Sequence, residues 1–327
     1  MVQHRIPGHG AALAVALLAL SSPRAAAAQD RFNTRVGRVT SGLFLRNSTI
    51  VRVNPLGLFN DLRVGYRHRL FDRPDLPIVL RNTYWAAAGS LAVSPAFVRA
   101  GAAVEFAPLA VLNLSAVFER VQWFGTFNFV QSYPSANENF SDAALRERAR
   151  TDPGAAEAAG GWMLTLNAIV QAKVGDLAVR NTARGVWNSL SLRDNRPVFY
   201  DSFYDAMSPN GGWVFTDDVD VIYQNTELGL NLGARFTAVV PLFQSASWGA
   251  DGAGLAGRGA DNGPTMRFGP LVSYTFREGR HSFFNAPTVF VLAQWWIAHR
   301  YRTGGCDECI APGLPMIAVG FAFRGDS

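Results

Sequence analysis

Lysine is almost absent from this 327-residue chain. Of 30 basic residues, Lys173 is the one lysine and the rest are arginine. A GC-rich genome favours arginine whatever its role, so this bias alone assigns no function. Cysteine is nearly absent too, which excludes a disulfide-built scaffold. The two present form Cys306-Asp307-Glu308-Cys309. Two thiols are too few for a metal site. No histidine follows for haem attachment, and a redox reading would need a βαβ context that is missing. In an exported chain the pair reads as a small disulfide loop between Cys306 and Cys309. Charged residues are scarce at 17% while aromatics reach 12%, which excludes a disordered tail protein. No run of about 18 apolar residues occurs, so a polytopic helical membrane protein is excluded.

The first residues are an address. Arg5 gives a positive start, Ala11 to Leu20 an apolar stretch, and Ala26-Ala27-Ala28 a small-residue cleavage site. Residues 1–28 therefore read as a secretory signal peptide, with Gln29 as the mature start. Residues 29–41 follow as a periplasmic N-terminal segment.

Helical periodicity is missing from most of the mature chain, and alternation of period two replaces it. In Gly161–Gly175, Trp162, Leu164, Leu166, Ala168, Val170, Ala172 and Val174 oppose Met163, Thr165, Asn167, Ile169, Gln171 and Lys173. Leu228–Ala238, Val98–Phe106 and Leu62–Leu70 alternate in the same way. About twelve such segments lie near 42–54, 60–71, 77–89, 95–107, 109–123, 161–174, 176–190, 212–224, 227–240, 265–277, 286–301 and 313–324. Each is long enough to cross a bilayer as a tilted strand of ~9–11 residues. Tight links alternate with long ones at 125–160, 191–211, 241–264 and 302–312. This predicts an all-β fold, a closed antiparallel transmembrane β-barrel of about 12 strands over 42–324, with its long loops at one end.

The chain resembles bacterial outer-membrane β-barrel proteins. The resemblance rests on the signal peptide, the alternating strands and the ending Ile317-Ala318-Val319-Gly320-Phe321-Ala322-Phe323, after which four residues follow where such proteins usually stop at the aromatic. It implies a Gram-negative outer membrane, with lipid as the partner outside. A soluble barrel would carry its bulky apolar residues inside. Here the apolar face is nearly unbroken and the other face is rich in Gly, Asn, Thr, Ser and Arg. Trp162, Trp187, Tyr223, Trp213 and Trp123 fall near strand ends, where aromatic girdles sit. Pro270 on the outer face cannot donate to a ladder, which predicts a bulge or strand end there.

The inward face holds Arg63, Arg67, Arg69, Arg99, Lys173, Arg180, Arg184, Arg235, Arg267 and Arg277. The matching acids are Glu105, Glu119, Asp218, Asp220 and Glu227. An unbalanced basic lining favours anions, because low-dielectric walls focus the field. Twelve strands lie between barrels filled by side chains and open porins, so a plugged or a narrow wet lumen both fit. Nucleic acid is a poor partner for arginines that point inward in an exported chain.

Other patterns compete. Gly252-Ala253-Gly254-Leu255-Ala256-Gly257 matches a dinucleotide fingerprint without its βαβ setting, so no cofactor is expected. Ser141–Arg150 has helix-forming composition, a cap at Ser141 and a stop at Asp152-Pro153-Gly154; it is a solvated loop helix or a constriction folded into the barrel. Asp201 and Asp205 could contribute to a surface calcium site. His281-Ser282 lies in a link assigned to the periplasmic side and His68 on the apolar face; His299 is near the outer rim, but no serine has a triad-like neighbour. The leading expectation is a narrow pore or small-solute channel that prefers small anions, and not an enzyme. The alternatives are a closed-lumen barrel acting through its long loops and, less favoured, an outer-membrane hydrolase. The oligomeric state stays open.

Overall fold

The computed structural model describes residues 40–73, 75–152, 154–248, 262–276, 283–303 and 313–326. The signal peptide, Arg277, His281, Gly252–Gly257 and the Cys306/Cys309 pair lie outside the described residues. In chain order the strands are β1 (Gly42–Val53), β2 (Gly57–Arg69), β3 (Tyr84–Val93), β4 (Phe97–Leu109), β5 (Leu112–Trp123), β6 (Val130–Tyr133), β7 (Gly160–Val174), β8 (Leu177–Leu190), β9 (Val198–Asp201), β10 (Ala206–Pro209), β11 (Gly212–Asn225), β12 (Leu230–Leu242), β13 (Thr265–Thr275), β14 (Asn285–Ala298) and β15 (Met316–Asp326).

Twelve of these strands form a closed antiparallel barrel, in which β1 pairs with β15 from Phe44↔Asp326 to Val53↔Ile317. Closure pairs the backbone groups that an open sheet would leave bare at its edges, a requirement in lipid. β6, β9 and β10 make a separate three-stranded sheet in the order β10-β9-β6.

Alternation along the strands explains the two faces. On β3, Tyr84, Ala86, Ser90 and Ala92 are buried while Trp85, Leu91 and Val93 are exposed. All twelve barrel strands add exposed large apolar side chains, among them Val64, Val104, Phe118, Trp162, Val221, Phe268, Trp295 and Val319. An apolar belt around the whole circumference is what hydrocarbon contact demands and what a water-soluble barrel avoids.

At one end the links are 70–83, 110–111, 175–176, 226–229 and 276–284; at the other, 54–56 and 94–96 stand beside the long segments 124–159, 191–211, 243–264 and 299–315. In the tight link after β7, Gly175 takes a left-handed φ of 60°, which a side chain would disfavour. We call these the turn end and the loop end. The expected strand at 77–89 begins instead at Tyr84. Ile78–Leu80 forms a 3₁₀ turn, and Arg81 Nε donates to the Leu76 carbonyl at 3.0 Å, so local bonds hold this stretch out of the ladder. The bulge or strand end expected at Pro270 is not there: Pro270 lies inside β13 and faces Ala234 of β12, and the β13–β14 register keeps one phase from Arg267↔Trp296 to Thr275↔Thr288, slipping only between Met266 and Arg267.

Candidate solute path in the barrel lumen

The loop-end mouth is filled from within. The β6–β9–β10 sheet packs on inward-facing wall residues: Val130, Phe199 and Leu192 join Ala92, Phe97, Val121, Trp123 and Leu190 in one buried cluster, with Phe59 and Phe203 against it. Phe203 sits 5.3 Å from Phe59 and 5.2 Å from Phe97, edge on to both. Trp123 is therefore part of this plug core and not of an outer girdle; its side chain points inward and is 7% exposed. Arg52 of β1 reaches the plug from the wall, donating Nη1 to the Phe203 carbonyl at 2.7 Å and Nη2 to the Ser202 carbonyl.

One helix, α1 (Asp142–Thr151), lies on the plug sheet. Ser141 caps it, its Oγ accepting from Ala144 N at 3.2 Å. Leu145 is buried, and Arg148 donates to the Ser132 carbonyl at 2.8 Å while covering the Tyr133 ring. Glu147 and Arg150 pair with each other in solvent. The helix is thus solvated on one face and docked on the other.

Arg302 holds these pieces together. Its Nε donates to Asp205 Oδ2 at 2.9 Å, its two Nη groups fork onto Asp142 at 2.5 and 2.9 Å, and Nη1 also reaches Asn54 Oδ1 at 2.8 Å. Asp205 further accepts from the Tyr200 hydroxyl at 2.8 Å. Burial works to raise the Asp205 carboxyl, but the positive charge of His299, when protonated, and of Arg302 holds it down to about 2. Burial also opposes the Arg302 charge, and Asp205 and Asp142 more than offset it, raising that group. His299 is pushed down by burial, so its ring is neutral near pH 7; it bonds the Asp205 carbonyl and the Tyr301 amide.

Asp201 and Asp205 are therefore buried plug residues and not a surface calcium site. Asp201 accepts from the Phe203 amide at 2.8 Å to fix the β9–β10 turn, and burial lifts its carboxyl to about 6. Among the described residues no group of three or more His, Cys, Asp or Glu is placed to hold a metal ion.

Below the plug the lumen is polar. Arg63, Arg67, Arg69, Arg99, Lys173, Arg180, Arg184, Arg235 and Arg267 occupy the inward alternation of their strands, as do Glu105, Glu119, Asp218 and Asp220. Glu227 belongs to the turn 226–229 and not to a strand. Asp220 is fully buried and bridges two guanidinium groups, Arg180 at 2.7 Å and Arg235 at 2.6 Å. Asp218 takes Arg184 at 2.8 Å and the Thr237 hydroxyl at 2.6 Å. Arg67 meets Asp326 at 3.1 Å and lies over the Phe44 and Tyr84 rings, and Arg69 pairs with Asp72 at 2.8 Å near the turn end. Arg267 donates to Gln294 at 2.9 Å and covers the Trp296 ring. Asp217 turns outward and accepts from Asn181 at 2.6 Å.

Sequence reading missed several lumenal charges. Arg46 and Arg52 fall on β1, Asp61 on β2, Arg324 and Asp326 on β15, all on inward positions. Arg46 pairs with Glu105 at 2.6 Å. Their signal was the same alternation, read in strands whose phase or end was uncertain. The consequence is that the carboxylates are shared among arginines, so the lining is a mesh of ion pairs more than a bare basic ring.

Two spaces remain. A vestibule of about 990 Å³ opens at the turn end, lined by Arg46, Arg63, Arg180, Arg324, Asp61, Glu227 and neutral polar residues of β1, β11, β12 and β14. A chamber of about 290 Å³ lies between the plug and the wall. Asp61 and Arg63 line both.

No protein-family model matches this sequence, and no curated protein matches it. Solved structures do resemble the fold. The beta domain of the Bordetella autotransporter BrkA shares 10% identity, with 88% of this chain and 100% of that one covered and a TM-score of 0.45. An outer-membrane channel from Pseudomonas putida F1 shares 12% identity over 88% and 95% of the two chains, with a TM-score of 0.42. OccAB1 of Acinetobacter baumannii shares 11% identity at a TM-score of 0.39, and this chain spans 57% of its length. The chain is a closed twelve-stranded antiparallel barrel with an apolar exterior. Its function has to be argued from its own residues.

Proposed function

We propose that this protein is an outer-membrane channel for small solutes, with a slight preference for anions. In this reading residues 1–28 direct export, the apolar belt faces the lipid bilayer, and the protein carries out no reaction. The observation that carries it is the space left inside the barrel. A polar vestibule of about 990 Å³ and a chamber of about 290 Å³ against the plug have Asp61 and Arg63 in common in their linings. A barrel built only as a structural support would gain from filling this space, since interiors close-pack when nothing has to pass. Anion preference is supported by Arg46 and Arg180, whose side chains remain 40% and 41% exposed although each has a carboxylate partner. Their field extends into a narrow low-dielectric passage, where it acts strongly on mobile ions.

The closed-lumen reading has its own support in the apolar plug core and the Arg302 bonds. Planar-bilayer recording under a KCl gradient separates the two. The channel reading expects discrete conductance steps and an anion-directed reversal potential, which Arg46→Glu with Arg180→Glu shifts toward cations. Silence from protein that migrates as a heat-modifiable folded barrel would sink it and leave the loops as the functional surface.

A further inference from the structure

We propose that the 290 Å³ chamber is a binding site for one small carboxylate with a ring-sized apolar body. The site deepens the channel reading, because its occupant would enter from the vestibule past Asp61 and Arg63. The argument begins with hydrogen bonds left unmade. Among the described residues, Arg63 Nε and Arg99 Nε are buried without a hydrogen-bond partner. The carboxylates beside them stand off, Asp61 at 3.6 Å from Arg63 and Glu119 at 3.9 Å from Arg99. Arg99 lies over the Phe97 and Phe203 rings, and the hydrogen bond its Nη1 makes is to the Met163 sulfur at 3.5 Å, a weak acceptor.

The other charges around the chamber are already engaged. Glu119 takes the Ser90 hydroxyl at 2.6 Å, Asp201 takes the Phe203 amide, and Arg184 holds Asp218. No carboxylate oxygen is among the buried polar atoms lacking a partner. The unmet demand at this wall is thus for an acceptor. An incoming carboxylate would replace two loose ion pairs with charge-assisted bonds of ~2.7–2.9 Å.

Rings share this lining with the arginines: Phe59, Trp123, Phe199 and Phe203, with Phe203 under the Arg99 guanidinium at 5.5 Å. Guanidinium groups beside aromatic rings suit a molecule with a charged head and a flat apolar body. Size sets the upper limit. An apolar cavity of ~150 Å³ accepts a benzene, so this chamber admits one ring with its carboxylate and excludes an oligosaccharide.

The test uses the full chain folded in detergent and benzoate as the probe, followed by isothermal titration calorimetry. Benzyl alcohol supplies the ring without the charge, and acetate the charge without the ring. The site requires benzoate to bind about 10-fold or more tightly than either. It also requires Arg99→Gln and Arg63→Gln, each checked for heat-modifiable mobility, to lose about 10-fold or more for benzoate while leaving benzyl alcohol unchanged. Equal affinity for benzoate and benzyl alcohol overturns the site even if neither variant folds, and so does the absence of benzoate binding to folded protein. Benzoate binding by a protein that conducts no ions keeps the site and removes the channel reading; conduction without benzoate binding does the reverse.

Discussion

Arg302 and Asp205 meet at 2.9 Å inside the loop-end mouth, although 97 residues separate them in the chain. The same guanidinium forks onto Asp142 at the start of α1. One side chain therefore ties the start of α1, the β9–β10 turn and the stretch that follows β14 to one another. Their shared body explains why the mouth is filled while the lumen beneath stays polar.

Removing that tie should loosen the plug and leave the barrel standing. Arg302→Gln strands the buried Asp205 carboxylate, a change that costs roughly 3–5 kcal/mol when a buried pair is broken. The expected outcome is faster protease cleavage within 124–159 and larger conductance steps, with heat-modifiable mobility retained. Unchanged cleavage and conductance would show that the apolar core around Phe203 holds the plug by itself.

The Asp201 carboxyl supplies a pH test. Its carboxyl sits at about 6 in the folded protein against 3.8 for the free side chain. The folded state therefore binds more protons between these values, and the contribution of this group to stability falls as pH rises from about 4 through 6. Asp201→Asn keeps the oxygen that accepts from Phe203 and removes the charge. It should stabilise the plug above pH 6 and make no difference below about pH 4. Urea unfolding of the plug followed at pH 7.5 and pH 4 reads this directly. A constant difference across the range would refute the assignment.

Asp220 is the acid that two arginines depend on. Asp220→Asn leaves Arg180 and Arg235 without that charge. Stability should drop by roughly 3 kcal/mol, the lower part of the range for broken buried pairs because Arg180 is partly solvated. If the protein conducts, its reversal potential should move further toward anions. A shift toward cations would contradict the proposed control of the lumen field.

Gly101 tests how closely the wall strands approach. A Cβ at this position would stand 2.0 Å from the Phe118 carbonyl oxygen, and backbone cannot swing aside as a side chain can. Gly101→Val should prevent recovery of the heat-modifiable barrel. Wild-type refolding yield would mean that β4 and β5 have more freedom than their pairing implies.

Much of the architecture was legible because strand alternation is a local property. Twelve segments read from period two match twelve wall strands, and the cap at Ser141 announced α1. The failures have physical causes. Residues 77–83 are apolar enough to look like strand, but short-range bonds from Arg81 make them a link. Trp123 is aromatic and near a strand end, which fits a girdle or a plug equally; the inward direction of β5 at that point decides. Asp201 and Asp205 look like exposed loop acids until the loop folds inward.

The sequence by itself therefore determined the closed barrel of about twelve strands and its apolar exterior, since both follow from neighbours two residues apart. The tertiary structure decided which carboxylates the described arginines meet, that the segments carrying β6, β9 and β10 fill the mouth, and where space is left. Those features depend on contacts between residues far apart in the chain, such as Arg302 with Asp142 and Arg52 with Phe203. No periodic pattern records them, because they exist only once closure has fixed which strands face each other across the lumen.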